Sequence, residues 1–86
     1  MKAELDHVDT DLEQRIRTVI GDVFGLDPAD VGPETSKDTV KEWDSLQHLT
    51  LVLALEEEFG LHFSDEETVS LLTFPLIVVT VSDHLS

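Results

Sequence analysis

The sequence predicts an all-α fold with a long first loop and a short third helix, on three observations. Apolar residues recur at helical spacing in two long segments, Leu12 to Phe24 and Leu46 to Phe59. Two Ser/Thr-x-x-Glu capping boxes, Thr10 with Glu13 and Ser64 with Glu67, mark helix starts. Gly25 and Gly60 stand where the two long segments should stop. A chain of 86 residues with 41% hydrophobic content suits one small soluble domain spanning residues 1–86, with no room for a large enzyme cleft.

The first helix is predicted from the Thr10 cap to Gly25, with Leu12, Ile16, Val19, Ile20, Val23 and Phe24 on its apolar face. A connection from Leu26 to Trp43 follows, with Pro28, Gly32 and Pro33, a short helical turn near Asp27 to Asp30, and Val31 and Val40 as anchors into the core. Connections this long are uncommon in small domains and are often functional. The second helix covers Leu46 to Phe59, with Asp44 as its N-cap and Ser45 in its first turn. The third opens at Ser64 and runs to about Leu71, with Val69 and Leu72 apolar. The β-branched run Ile77-Val78-Val79-Thr80-Val81 has strand propensity, but a lone strand would lack a partner. Thr73 as a cap and Pro75 in the first turn favour a final helix instead. No internal repeat, low-complexity tract or linker-like tail interrupts the chain, which reads as freestanding.

Charge narrows the function. Nineteen acidic residues against five basic give a formal net charge of −14, which repels nucleic acid and anionic membranes and attracts basic protein surfaces. With no cysteine, disulfides and thiolate metal sites are excluded, and any thiol chemistry must come from an added group. Acidic residues at Glu4, Asp6 and Asp9 replace the apolar stretch of a secretory signal, and the most apolar run, Leu71 to Val81, is short of the roughly 20 residues that span a bilayer. A cytoplasmic monomer, without membrane insertion, is expected. Asp27, Asp30 and Gly32 lack calcium-loop spacing, and His7, His62 and His84 form no ligand pattern, so no metal site is expected.

The chemistry is expected at Ser45. In the first turn of a helix, free backbone amides and the positive end of the dipole favour an anion, so a phosphate ester on Ser45 would gain about 0.3 to 1 kcal/mol. Around the same helix lie two apolar stripes where a surface helix normally carries one. Leu51, Val52, Leu55 and Phe59 form the first, assigned to the core; Leu46, Leu49 and Leu53, with Ala54 at the edge, form the second. The second begins beside Ser45 and is assigned as a docking surface.

Glu42-Trp43-Asp44-Ser45-Leu46, followed by Leu53-Ala54-Leu55-Glu56-Glu57-Glu58-Phe59-Gly60 and Asp65-Glu66-Glu67, resembles the acyl carrier protein family from about Leu12 to Leu85. The resemblance implies a four-helix bundle. It also implies that Ser45 carries phosphopantetheine, delivered from coenzyme A, as a phosphodiester, with acyl groups held as thioesters on the terminal thiol. Such a protein is a carrier and not a catalyst. By the same resemblance Asp44 helps a phosphopantetheinyl transferase (holo-carrier synthase) recognise the site, and Leu46, Leu49 and Leu53 contact partner enzymes. Glu57, together with Glu58, lies on an acidic face toward acyl-loading and acyl-using enzymes with basic surfaces. Those carboxylates also sit at the unfavourable negative end of the helix dipole. The chain departs from carriers of bacterial fatty acid synthesis, which usually have acids two and five residues after the serine; here stand Gln47 and Thr50. That departure weighs against housekeeping fatty acid synthesis, whereas Trp43 and His48 resemble specialised freestanding carriers of a dedicated pathway. A fatty acid, a polyketide intermediate or an amino acid, as on a peptidyl-type carrier, all stay open as cargo.

Two other functions compete. Ser45 and His48, three residues apart on a helix, could form a nucleophile and base. Against this stand the lack of a Gly-x-Ser-x-Gly elbow, of an evident oxyanion hole and of enough chain for a shielded pocket; His48 reads instead as a partly buried packing residue. The other is an acidic helical interaction module without a prosthetic group, in which the Leu46 stripe binds a partner helix and Ser45 serves only the cap.

Overall fold

Helix-permissive sequence without proline or glycine precedes Thr10, and adding a turn to an existing helix costs far less than nucleating one. In the computed structural model, which describes residues 2–85 and side chains from Asp11 onward, helix α1 accordingly spans Lys2–Phe24. The backbone at Thr10 is helix interior, so the predicted cap there does not mark the start. The end is as expected: Gly25 takes φ 72°, and the Leu26 amide donates to the Gly21 carbonyl at 2.9 Å.

After a single 3-10 turn, Pro28–Asp30, capped by the Asp27 carboxylate accepting from the Ala29 amide, come α2 (Ser45–Phe59), α3 (Asp65–Ser70) and α4 (Phe74–Leu85). The four helices form a small all-α bundle; among the described residues the one β-type contact is an isolated bridge between Ser36 and Thr73. The predicted α4 holds: the Thr73 hydroxyl accepts from the Leu76 amide at 3.1 Å. Its β-branched residues serve packing, with Ile77 and Val81 fully buried.

The core is one cluster. α1 supplies Leu12, Ile16, Val19, Ile20 and Phe24, α2 supplies Leu51, Val52 and Leu55, and α4 supplies Phe74, Ile77 and Val81. Val31 and Val40 anchor the long loop as expected, and Trp43 closes it, its indole 5.0 Å from the ring of Phe24. The loop is also tied by hydrogen bonds. Phe74 N donates to Thr35 O and Lys37 N to Leu72 O, both at 2.9 Å, which fixes residues 35–37 against the junction of α3 and α4. Arg17 donates to Val31 O at 3.0 Å and lies over the Phe74 ring.

α3 differs in kind. Its capping box is complete in both directions, yet it buries none of its own residues. The residues that hold it lie just outside, at Phe63 and Leu71, while Val69 and Leu72 are exposed.

Candidate functional site

The placement of Ser45 follows from Asp44. Its carboxylate accepts from the Gln47 amide at 2.9 Å, and its carbonyl accepts the first intrahelical bond, from His48 N at 2.8 Å. Ser45 is therefore the first helical residue, and its amide and that of Leu46 precede the first intrahelical bond. The side chain is exposed, and Oγ makes no hydrogen bond to any described residue. At the other end Gly60 takes φ 63°, and its amide closes on the Glu56 carbonyl.

The two stripes of α2 separate as the sequence predicts. Leu51 and Leu55 are fully buried and Val52 nearly so, with Phe59 partly buried beneath the Arg15 guanidinium. Leu46, Leu49 and Leu53 are 72%, 56% and 65% exposed. Three large apolar side chains thus flank one exposed hydroxyl.

The two glutamates grouped together in the sequence have different environments. Glu58 accepts from Arg15 Nε and Nη2 at 3.2 and 3.1 Å, and the same Nη2 donates to the Glu58 carbonyl. A cation from α1 therefore offsets the dipole penalty at the end of α2. Glu57 is exposed and forms no ion pair among the described side chains.

His48 is a strut. The Trp43 indole N–H donates to Nδ1 at 3.1 Å, and Nε2 lies 2.7 Å from the Thr68 carbonyl. An indole can only donate and a carbonyl only accept, so the ring is neutral with its proton on Nε2. Both nitrogens are engaged and no lone pair is left to take a proton from Ser45, which removes the nucleophile–base arrangement. The strut instead joins the loop, α2 and α3. Its partners are 5 and 20 residues away, and no local pattern in the sequence identifies them.

Between α2 and α3 runs an open groove of about 350 Å³. Leu49, Val69 and Leu72 give it an apolar lining, joined by Ser45, His48 and Thr68 and by Lys37 from the loop. Asp44 shapes this site by capping α2, and no group of three or more metal-ligating side chains occurs among the described residues.

A serine that carries phosphopantetheine must offer its hydroxyl to solvent and to a second protein, on a rigid element, in a field that tolerates an anion. Ser45 meets each condition, with an exposed Oγ, a capped first turn and unpaired amides at a helix start. Residues 14–74 match the family described as phosphopantetheine attachment site. The chain is also 36% identical over 64 residues to an acyl carrier protein of Thermosynechococcus vestitus, covering 74% of this chain and 79% of that protein. A helical bundle with an exposed serine opening α2, matched along most of its length by these relatives, belongs to the acyl carrier protein family and carries phosphopantetheine.

Proposed function

We propose that Ser45 is the residue to which phosphopantetheine is joined and that the protein presents acyl intermediates to successive enzymes of a dedicated pathway. The carrying observation is the exposed Ser45 hydroxyl at the capped start of α2, flanked by the exposed leucines of that helix. When bound, the group supplies a terminal thiol that holds acyl chains as thioesters. The chain's own residues hold, orient and recruit.

Asp44 fixes the first turn, and with it the direction in which Oγ projects. The helix start stabilises the added negative charge by about 0.3 to 1 kcal/mol. Leu46, Leu49 and Leu53 lose their water against a partner enzyme, while Asp44 and Glu57 meet that partner's basic side chains. The groove along Leu49, Val69 and Leu72 offers an acyl chain apolar surface, worth about 0.8 kcal/mol for each methylene covered. Tethering at Ser45 raises the local concentration of cargo at each docked enzyme without new contacts.

The test is intact mass after incubation with coenzyme A and a broad-specificity phosphopantetheinyl transferase, beside Ser45→Ala. The expected result is a gain of one phosphopantetheine in the unmutated protein only. Modification that persists in folded Ser45→Ala would place attachment elsewhere. No gain with several transferases would favour the interaction module.

A further inference from the structure

Converting Ser45 to a phosphodiester adds a negative charge to a chain of net charge −14, immediately beside Asp44. The arrangement of cations around that position is uneven. Of five basic residues, Arg15 is committed to Glu58, and Arg17 to Glu13 and the Val31 carbonyl. Among the described side chains, Lys37 and Lys41 make no ion pair, and both belong to the loop that leads into Ser45. Of the lysine and arginine side chains described, Lys37 alone lines the groove with Ser45.

The backbone of Lys37 is held in place. Its amide donates to Leu72 O at 2.9 Å, next to the Ser36–Thr73 bridge. The Ser36 amide donates to Thr39 Oγ1, the Asp38 amide to Ser36 Oγ, and Val40 N to Ser36 O. A lysine whose backbone is tied this closely to the α3–α4 junction has a fixed base, and Lys37 and Ser45 line the same groove.

We propose that Lys37 is a positioning residue that binds the phosphodiester on Ser45 and so directs the attached arm along the α2–α3 groove. The inference rests on Ser45 being the attachment residue, which intact mass decides separately before any comparison is made. A phosphate on Ser45 is held from two sides, by the amides at the start of α2 and by the Lys37 ammonium across the groove. Lys37 acts on the phosphate and takes no part in bond making.

The experiment compares apo and holo forms of the parent, Lys37→Met, Lys37→Gln and Lys41→Met, each checked for full conversion by mass. Lys41→Met removes the same charge outside the groove and is the control for net charge. At low salt, the change in melting temperature on conversion from apo to holo is expected to be less favourable in both Lys37 variants. The difference should be about 1 to 8 °C, the scale of one exposed ion pair in a domain of this size, while Lys41→Met follows the parent. The difference should vanish near 1 M salt, where the screening length falls to about 3 Å. The phosphorus NMR resonance of holo protein should also move in the Lys37 variants and not in Lys41→Met. Equal apo-to-holo changes in the parent and the Lys37 variants would overturn the proposal, as would equal effects from Lys41→Met. A difference that appears only after loading an acyl group with its own carboxylate would overturn it too, and would assign Lys37 to the cargo.

Discussion

Replacing His48 by alanine tests whether the Trp43–His48–Thr68 strut holds α3 and the loop to α2. The indole of Trp43 is 2% exposed, so without His48 its N–H loses its acceptor where water has little access. Leaving a buried donor unpaired costs about 1 to 3 kcal/mol. Alanine's better helix propensity returns up to about 0.7 kcal/mol, and the Thr68 carbonyl, on an exposed helix, can bind water instead. The net loss should be about 0.3 to 2.3 kcal/mol, or about 1 to 18 °C in melting temperature for a domain of this size. Trp43 is the only tryptophan of the chain, so its fluorescence reports the site directly during thermal unfolding. In a Trp43→Phe background the same substitution should cost less, because the donor has gone. A drop below about 1 °C would refute the reasoning. So would nitrogen NMR of the imidazole placing the proton on Nδ1.

Three further outcomes follow from the same coordinates. Leu49→Glu, on a half-exposed side chain, should lower stability by less than about 1 kcal/mol yet slow modification by the transferase, whereas Leu51→Ala should cost about 2 to 5 kcal/mol; comparable losses of folding and of partner engagement in Leu49→Glu, by denaturation and transferase kinetics, would contradict the two-face assignment. The Glu67 carboxyl is held below its ordinary 4.5, first by the Ser64 backbone amide and then by His84, so its ionised form is favoured in the folded state. Its contribution is present above pH 4.5 and lost as pH falls through the lower folded-state value, so Glu67→Gln should be less stable than the parent near neutrality, with the gap closing in acid on a pH series of melting curves. Gly21→Ala would normally stabilise a helix, but the new Cβ would lie 2.5 Å from the Leu26 carbonyl oxygen; chemical denaturation should show a loss of more than about 1 kcal/mol.

Local signals in the sequence were sufficient wherever the determinant is local. Asp44, Ser45 and Gly60 define α2 through caps that act within four residues, and the alternation of its two leucine stripes predicts which face is exposed. Ser64 and Glu67 define α3 in the same way. The start of α1 escaped because the Thr10 motif is a cap only if the preceding residues leave the helix, and nothing in them forces that. What remained illegible depends on partners far along the chain. Arg15 reaches Glu58 across 43 positions, and His84 reaches Glu67 across 17. Likewise Lys37 joins the groove only because its loop is pinned to Leu72.

α3 buries none of its own side chains; it is held by Phe63 and Leu71 on either side and, through its backbone, by the Thr68 carbonyl on His48, so the Val69 and Leu72 side chains of that groove wall take no part in the core. Substitutions at Thr68, Val69 or Leu72 change what the groove accepts without opening a cavity in the bundle, and core substitutions leave that wall's chemistry intact. Under the proposed function, cargo preference and foldability can be altered separately, and an engineer could redesign the wall by library while holding the core constant.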